Sequence, residues 1–91
     1  MLQTISITVS GKVQGVFFRQ STKETALRLN ITGEVKNMND GSVYILATGE
    51  KEQLEQLMEW CRQGPPKAMV AEVQFKNLPL QKFTHFNILR F

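Results

Sequence analysis

Apolar residues along this chain are spaced in two alternating ways, every second residue or roughly every 3.6, and the order of those patterns limits the fold more than any single residue does. In ISITVS, Ile5, Ile7 and Val9 alternate with Ser6, Thr8 and Ser10, the signature of a half-buried strand. From Phe18 to Asn30 the spacing turns helical, with Phe18, Thr22, Ala26 and Leu29 on one face. Alternation returns at Ile31, Gly33 and Val35. The NDG at Asn39 to Gly41 then predicts a hairpin, because these residues tolerate positive φ, with SVYILAT as the partner strand. EKEQLEQLMEWCRQG predicts a second helix whose stripe is Leu54, Leu57, Met58 and Cys61, stopped by Gly64, Pro65 and Pro66. Met69, Ala71, Val73 and Phe75 predict another strand, and a short one is expected from about His85 to Phe91.

Strand, helix, strand, strand, helix, strand is the order of a split βαβ. The expected fold class is therefore α+β: a ferredoxin-like sandwich, with two helices on one face of an antiparallel sheet of four to five strands. Residues 1–91 are expected to form a single domain, since a chain this long rarely divides and can bury a core without staples. A composition 42% hydrophobic and 21% charged fits a soluble globular domain. The net charge of +3 mildly favours anionic partners. However, the lysines and arginines are spread along the whole chain rather than clustered, which argues against a nucleic-acid binder. Cys61 is the one cysteine, MLQTISITVS lacks the build of a signal peptide, and no apolar run approaches the roughly 20 residues that cross a bilayer. A cytoplasmic monomer without membrane contact is the expectation.

Chemistry is concentrated in GKVQGVFFRQS, Gly11 to Ser21, between the first strand and the first helix. Its glycines open backbone conformations that let successive N–H groups converge on an anion. The loop leads into a helix N-terminus, which also favours an anion. Arg19 adds a planar fork suited to two phosphate oxygens, yet as a cation it opposes the helix dipole at that end. A bound anion between the two would remove the conflict. The stretch is neither a Walker A loop nor GxGxxG. On spacing alone, phosphate binding stands level with the plainer reading of a glycine turn followed by a solvated arginine.

GKVQGVFFR resembles the acylphosphatase signature, G-[KR]-V-Q-G-V-x-[FY]-R. GEVKNMNDGSV is similar to a second segment of that family, GPPKAMVAEV to a third and FTHFNILRF to its closing strand, so the resemblance covers essentially the whole chain. It implies metal-independent hydrolysis of the carboxyl-phosphate bond of acyl phosphates, with no cofactor. It also implies residue roles. The backbone of Val13, Gln14, Gly15, Val16, Phe17, Phe18 and Arg19, with the Arg19 side chain, would cradle the phosphoryl group, and Asn37 would hold the attacking water. Glu34 stands where the family commonly has Trp; its place on the polar phase of the strand predicts a surface position.

Such a reaction needs little from the protein, since the leaving carboxylate is stable without a proton and phosphoryl transfer is largely positioning and charge stabilisation. The remaining chemically capable residues have plainer readings. Cys61 completes a helix stripe and His85 neighbours Phe83 and Phe86, both read as structural. Glu50, Glu52, Glu55 and Glu59 form a solvated helix face, and no grouping suggests a metal site. Trp60, Phe17 and Phe18 are assigned to core or loop anchoring, and Lys12 to the surface or to the positive potential near the loop. Two other classes compete. An RNA-binding module is disfavoured because ISITVS and VAEVQF lack the K/R-G-F-x-F pattern of base-stacking strands. A carbamoyl-phosphate-handling domain of a larger maturation protein shares the loop, but the expectation here is a chain without an appended module.

Overall fold

A computed structural model describes residues 1–90; Phe91, the last residue of the expected closing strand, lies outside the described residues. The elements are β1 (Leu2–Lys12), α1 (Phe18–Arg28), β2 (Thr32–Asn37), β3 (Val43–Glu50), α2 (Lys51–Gln63), β4 (Met69–Leu78) and β5 (Phe86–Leu89). They form one five-stranded sheet in the order β4-β1-β3-β2-β5.

Alternation decides which face of the sheet is covered. Ile5, Ile7 and Val9 of β1 pair across from Ala47, Ile45 and Val43 of β3, and Val35 of β2 pairs with Ile45 on the same face. All seven are buried beneath the helices. Removing Ile7 or Ile45 from water, at 0% exposure each, stabilises the fold by about 1.5–3 kcal/mol per side chain. Against this layer α1 sets Phe18, Thr22, Thr25 and Ala26, while α2 sets Leu54, Leu57 and Cys61. The rings of Phe18 and Trp60 meet with centroids 5.4 Å apart and planes inclined by 58°, joining the two helices near the start of α1. Helix α2 begins on a capping box in which the Glu50 N–H donates to Gln53 Oε1 at 2.8 Å.

The antiparallel expectation holds for β4, β1, β3 and β2. At the far edge β5 corrects it: Gly33 to Lys36 pair in parallel with Phe86 to Leu89, so the sheet is mixed. The reason is a crossing. β4 ends at Leu78 opposite Thr4, which pairs with Thr48, which pairs with Thr32 at the start of β2. A chain leaving β4 and crossing along that row enters β5 running the same way as β2. The crossing is fixed by polar groups. The Gln81 carbonyl accepts from Thr48 Oγ1 at 2.7 Å and from Thr4 Oγ1 at 3.2 Å, and its N–H donates to Thr4 Oγ1 at 2.8 Å. Thr4 and Thr48 lie on the face away from the helices and are nonetheless buried.

β4 also departs from its expected phase. Val9 pairs with Val73 and Ser10 with Glu72, but Gly11 pairs with Val70, so Ala71 is an extra residue in the ladder. This bulge turns Val70 toward the core and leaves Met69 71% exposed. Phe75, opposite Ile7, is half exposed because β4 is an edge strand. Among the described residues no helix is long and apolar enough to cross a membrane.

Candidate active site

Gly11 turns out to belong to β1 rather than to the loop. It sits at the bulge with φ +117°, and a Cβ there would lie 2.3 Å from the Met69 carbonyl oxygen. Glycine is needed at this position for strand approach. Gly15 is different: φ is +75° and a Cβ would meet nothing within 4 Å, so its constraint is conformational and the space beside it is open.

The two phenylalanines of GVFFR point opposite ways. Phe17, the residue that caps α1, adopts the left-handed conformation (φ 65°, ψ 26°) and its ring is 77% exposed. That turn sends Phe18 inward, to 2% exposure against Trp60, and leaves Arg19 half-buried at the first turn. The first turn of α1 has neither a side-chain cap nor an acidic residue. Its leading N–H groups therefore lack intrahelical acceptors, and the positive end of the helix has no carboxylate of its own.

Asn37 is the last residue of β2, opposite Val43 and in phase with Val35, on the helix-covered face. Its Oδ1 is buried and has no hydrogen-bond partner among the described residues. A buried acceptor without a donor costs about 1–3 kcal/mol, so the position is organised for a donor that the protein itself does not supply.

A cavity of about 460 Å³ joins these parts, lined by Val13, Gly15, Phe17, Phe18, Arg19, Gln20, Asn37 and Arg90. The loop backbone, the helix N-terminus, Arg19 and Asn37 thus converge on one space. No aspartate or glutamate lines it, and Arg19 and Arg90 have no ion-pair partner among the described residues. The cavity is suited to an anion.

Two expected loop residues do not line the cavity. Val16 is buried in the core. Gln14 instead turns its side chain to the β2–β3 hairpin, where Nε2 donates to the carbonyl oxygens of Met38 and Ser42. The hairpin is itself braced: Met38 N–H donates to Ser42 O at 2.8 Å, and Asp40 Oδ1 accepts from Ser42 N–H and Oγ. Those two donors, the hydroxyl first, hold the Asp40 carboxyl below its usual range.

Gln20 and Arg90 line the cavity without having been foreseen. Arg90 continues the phase of Phe86 and Ile88 one step past β5, and β5 is seated beside β2. Its signal in the sequence was that alternation, which is short and stands on a strand whose partner cannot be read locally. Cys61 is buried, and burial pushes its thiol up to about 12. His85 is exposed, and its carbonyl accepts from Gly33 N–H. Glu34, opposite Leu46, lies on the face away from Asn37. Among the described residues no three His, Cys, Asp or Glu side chains gather as a metal site would require.

The acylphosphatase family model matches residues 5–88. An acylphosphatase of Marinobacter nauticus is 52% identical over 81 residues, 88% of each chain. Among solved structures, an acylphosphatase of Coxiella burnetii superposes with a TM-score of 0.94 at 41% identity, covering 97% of this chain and 93% of that one. Acylphosphatase of Bacillus subtilis superposes with a TM-score of 0.94 at 34% identity, covering 99% and 100%. Fold and length agree in these relatives over nearly the whole sequence, and the chain belongs to the acylphosphatase family.

Proposed function

We propose that residues 1–91 act as a single acylphosphatase domain, hydrolysing acyl phosphates in the cavity between the β1–α1 loop and the end of β2. The observation that carries the residue assignment is the orphaned Asn37 Oδ1, buried where a phosphoryl group on the loop would present its phosphorus. The backbone N–H groups from Val13 to Arg19 and the Arg19 guanidinium hold the phosphoryl oxygens. Within that stretch Gly15, Phe17 and the first turn of α1 face the anion, while Gln14 and Val16 contribute through the course of the backbone.

The reaction then needs few groups. A water donates one hydrogen to Asn37 Oδ1 and presents a lone pair to phosphorus. The new O–P bond forms as the bond between phosphorus and the acyl oxygen breaks, with attacking and leaving oxygens roughly in line. The acyl group departs as a carboxylate and takes the bonding pair with it. The water's proton passes to a phosphoryl oxygen, because an amide is too weak a base to accept it. An acyl phosphate dianion and water thus become a carboxylate and dihydrogen phosphate, with charge and atoms balanced. Charge building on the equatorial oxygens is met by preorganised donors, which need no reorganisation at the moment of reaction.

The partner is a small acyl phosphate. We take the chain to work as a monomer in a reducing compartment such as the cytoplasm, where a single, buried, unpaired cysteine is at home.

The test is hydrolysis of benzoyl phosphate by the wild type and by Asn37→Ala, both with EDTA present. Metal-independent turnover that the folded variant loses is the expected result. Equal turnover by the two would remove Asn37 from the mechanism, and none by the folded wild type would reduce the cavity to an anion site.

A further inference from the structure

Phe17 is placed where the fold gains little from it. Its ring is 77% exposed, so it buries little surface, and its left-handed backbone is one that glycine or asparagine occupies more easily. It nevertheless lines the same cavity as Arg19 and Asn37.

Displacement geometry indicates what the ring faces. On the acylphosphatase reading, on which this inference rests, water is held at Asn37 Oδ1, and that atom is buried. The closed end of the cavity is therefore the side of attack. In-line transfer puts the leaving oxygen on the opposite side of phosphorus, toward the open end. The most exposed apolar group of the lining is the Phe17 phenyl, and its exposure assigns it to that end. The open space beside Gly15 leaves room for a substituent to lie against it.

We infer that Phe17 is a specificity contact for the acyl group, and that the site favours acyl phosphates whose acyl part is apolar and planar over those carrying only a methyl. An aromatic acyl group in offset or edge contact with the ring gains both buried area and aromatic pairing, whereas an acetyl group gains little of either. The contact is made to the half of the substrate that leaves, so it governs which acyl phosphate is used rather than how phosphorus is held.

The experiment compares kcat/KM for benzoyl phosphate and acetyl phosphate in the wild type, Phe17→Asn and Phe17→Tyr. The quantity read is the benzoyl-to-acetyl ratio within each protein, which cancels any change in phosphoryl transfer common to both substrates. Asparagine tolerates the left-handed conformation, so the backbone of the loop is kept. The ratio is expected to fall about three- to tenfold in Phe17→Asn and to be retained in Phe17→Tyr. An unchanged ratio in Phe17→Asn, or an equal fall in Phe17→Tyr, overturns the inference while leaving the acylphosphatase reading intact. Failure of the folded wild type to hydrolyse either substrate would instead sink that reading, and this inference with it.

Discussion

The side-chain amide of Gln14 donates to the carbonyl of Met38 at 2.8 Å and to that of Ser42 at 2.9 Å, tying the loop after β1 to the hairpin that follows Asn37. On the proposed mechanism, this tie helps to set the separation between the loop that would hold the phosphoryl group and the amide that would hold water. Each such bond contributes about 0.5–1.5 kcal/mol. Gln14→Leu should lower kcat by about tenfold with KM changed less than threefold, because the loop still binds phosphate while the water drifts. Steady-state kinetics on benzoyl phosphate, with circular dichroism to verify the fold, provides the check. A rise in KM alone would contradict the linkage.

Arg19 supplies charge-assisted donors at a helix end that has no acidic residue. Losing two bonds worth about 1.5–3 kcal/mol each predicts a fall in kcat/KM of about 10² to 10⁴ for Arg19→Ala. Inhibition by orthophosphate should weaken in parallel, since product and substrate share the phosphoryl contacts. Retained orthophosphate inhibition would show that the loop backbone holds the anion without the guanidinium.

Asn37 predicts opposite effects on activity and stability. Replacing it with alanine removes a buried oxygen that the folded chain leaves unpaired, so Tm should hold or rise. Misplacing the water should still cost kcat about 100-fold or more. Differential scanning calorimetry on ligand-free protein tests the first half. A clear loss of Tm would mean that the amide supports the fold.

Much of this site could be read in the sequence, and the exceptions have physical causes. Arg19 was read at the break between a strand and a helix, whereas Asn37 came from the family resemblance alone, although it continues the alternation of Gly33 and Val35. What local spacing could not encode was the left-handed turn at Phe17, which separates an outward ring from an inward one. Nor could it show the extra residue at Ala71, which reverses the phase of β4, because that bulge depends on the backbone of Gly11 in another strand. Arg90 escaped for a similar reason: its position in the cavity follows from parallel pairing with β2, settled by a distant crossing. Motifs pointed to several residues that line the cavity, whereas others of its walls follow from long-range pairing.

Cys61 gives a pH prediction. Burial raises its folded pKa to about 12 from an ordinary 9.0, so the native state keeps a proton that the unfolded chain releases. The sign is fixed: this contribution is complete below about pH 9 and is lost as pH rises from there toward 12. Urea midpoints should fall over that window in the wild type more than in Cys61→Ala. In the native protein at neutral pH the thiol should resist Ellman's reagent until denaturant is added.

The crossing from β4 to β5 bears on the order in which the molecule is made. Gly33 meets Phe86 only after the chain leaving β4 has crossed β1, β3 and β2, a pairing of long sequence separation that carries a large loop-closure cost and slows folding. As the chain leaves the ribosome, the loop, Arg19 and Asn37 all emerge well before the strand that brings Arg90. A nascent chain thus holds the residues proposed for chemistry some time before it holds the last wall of the chamber, and catalytic competence should arrive abruptly, with the closing strand.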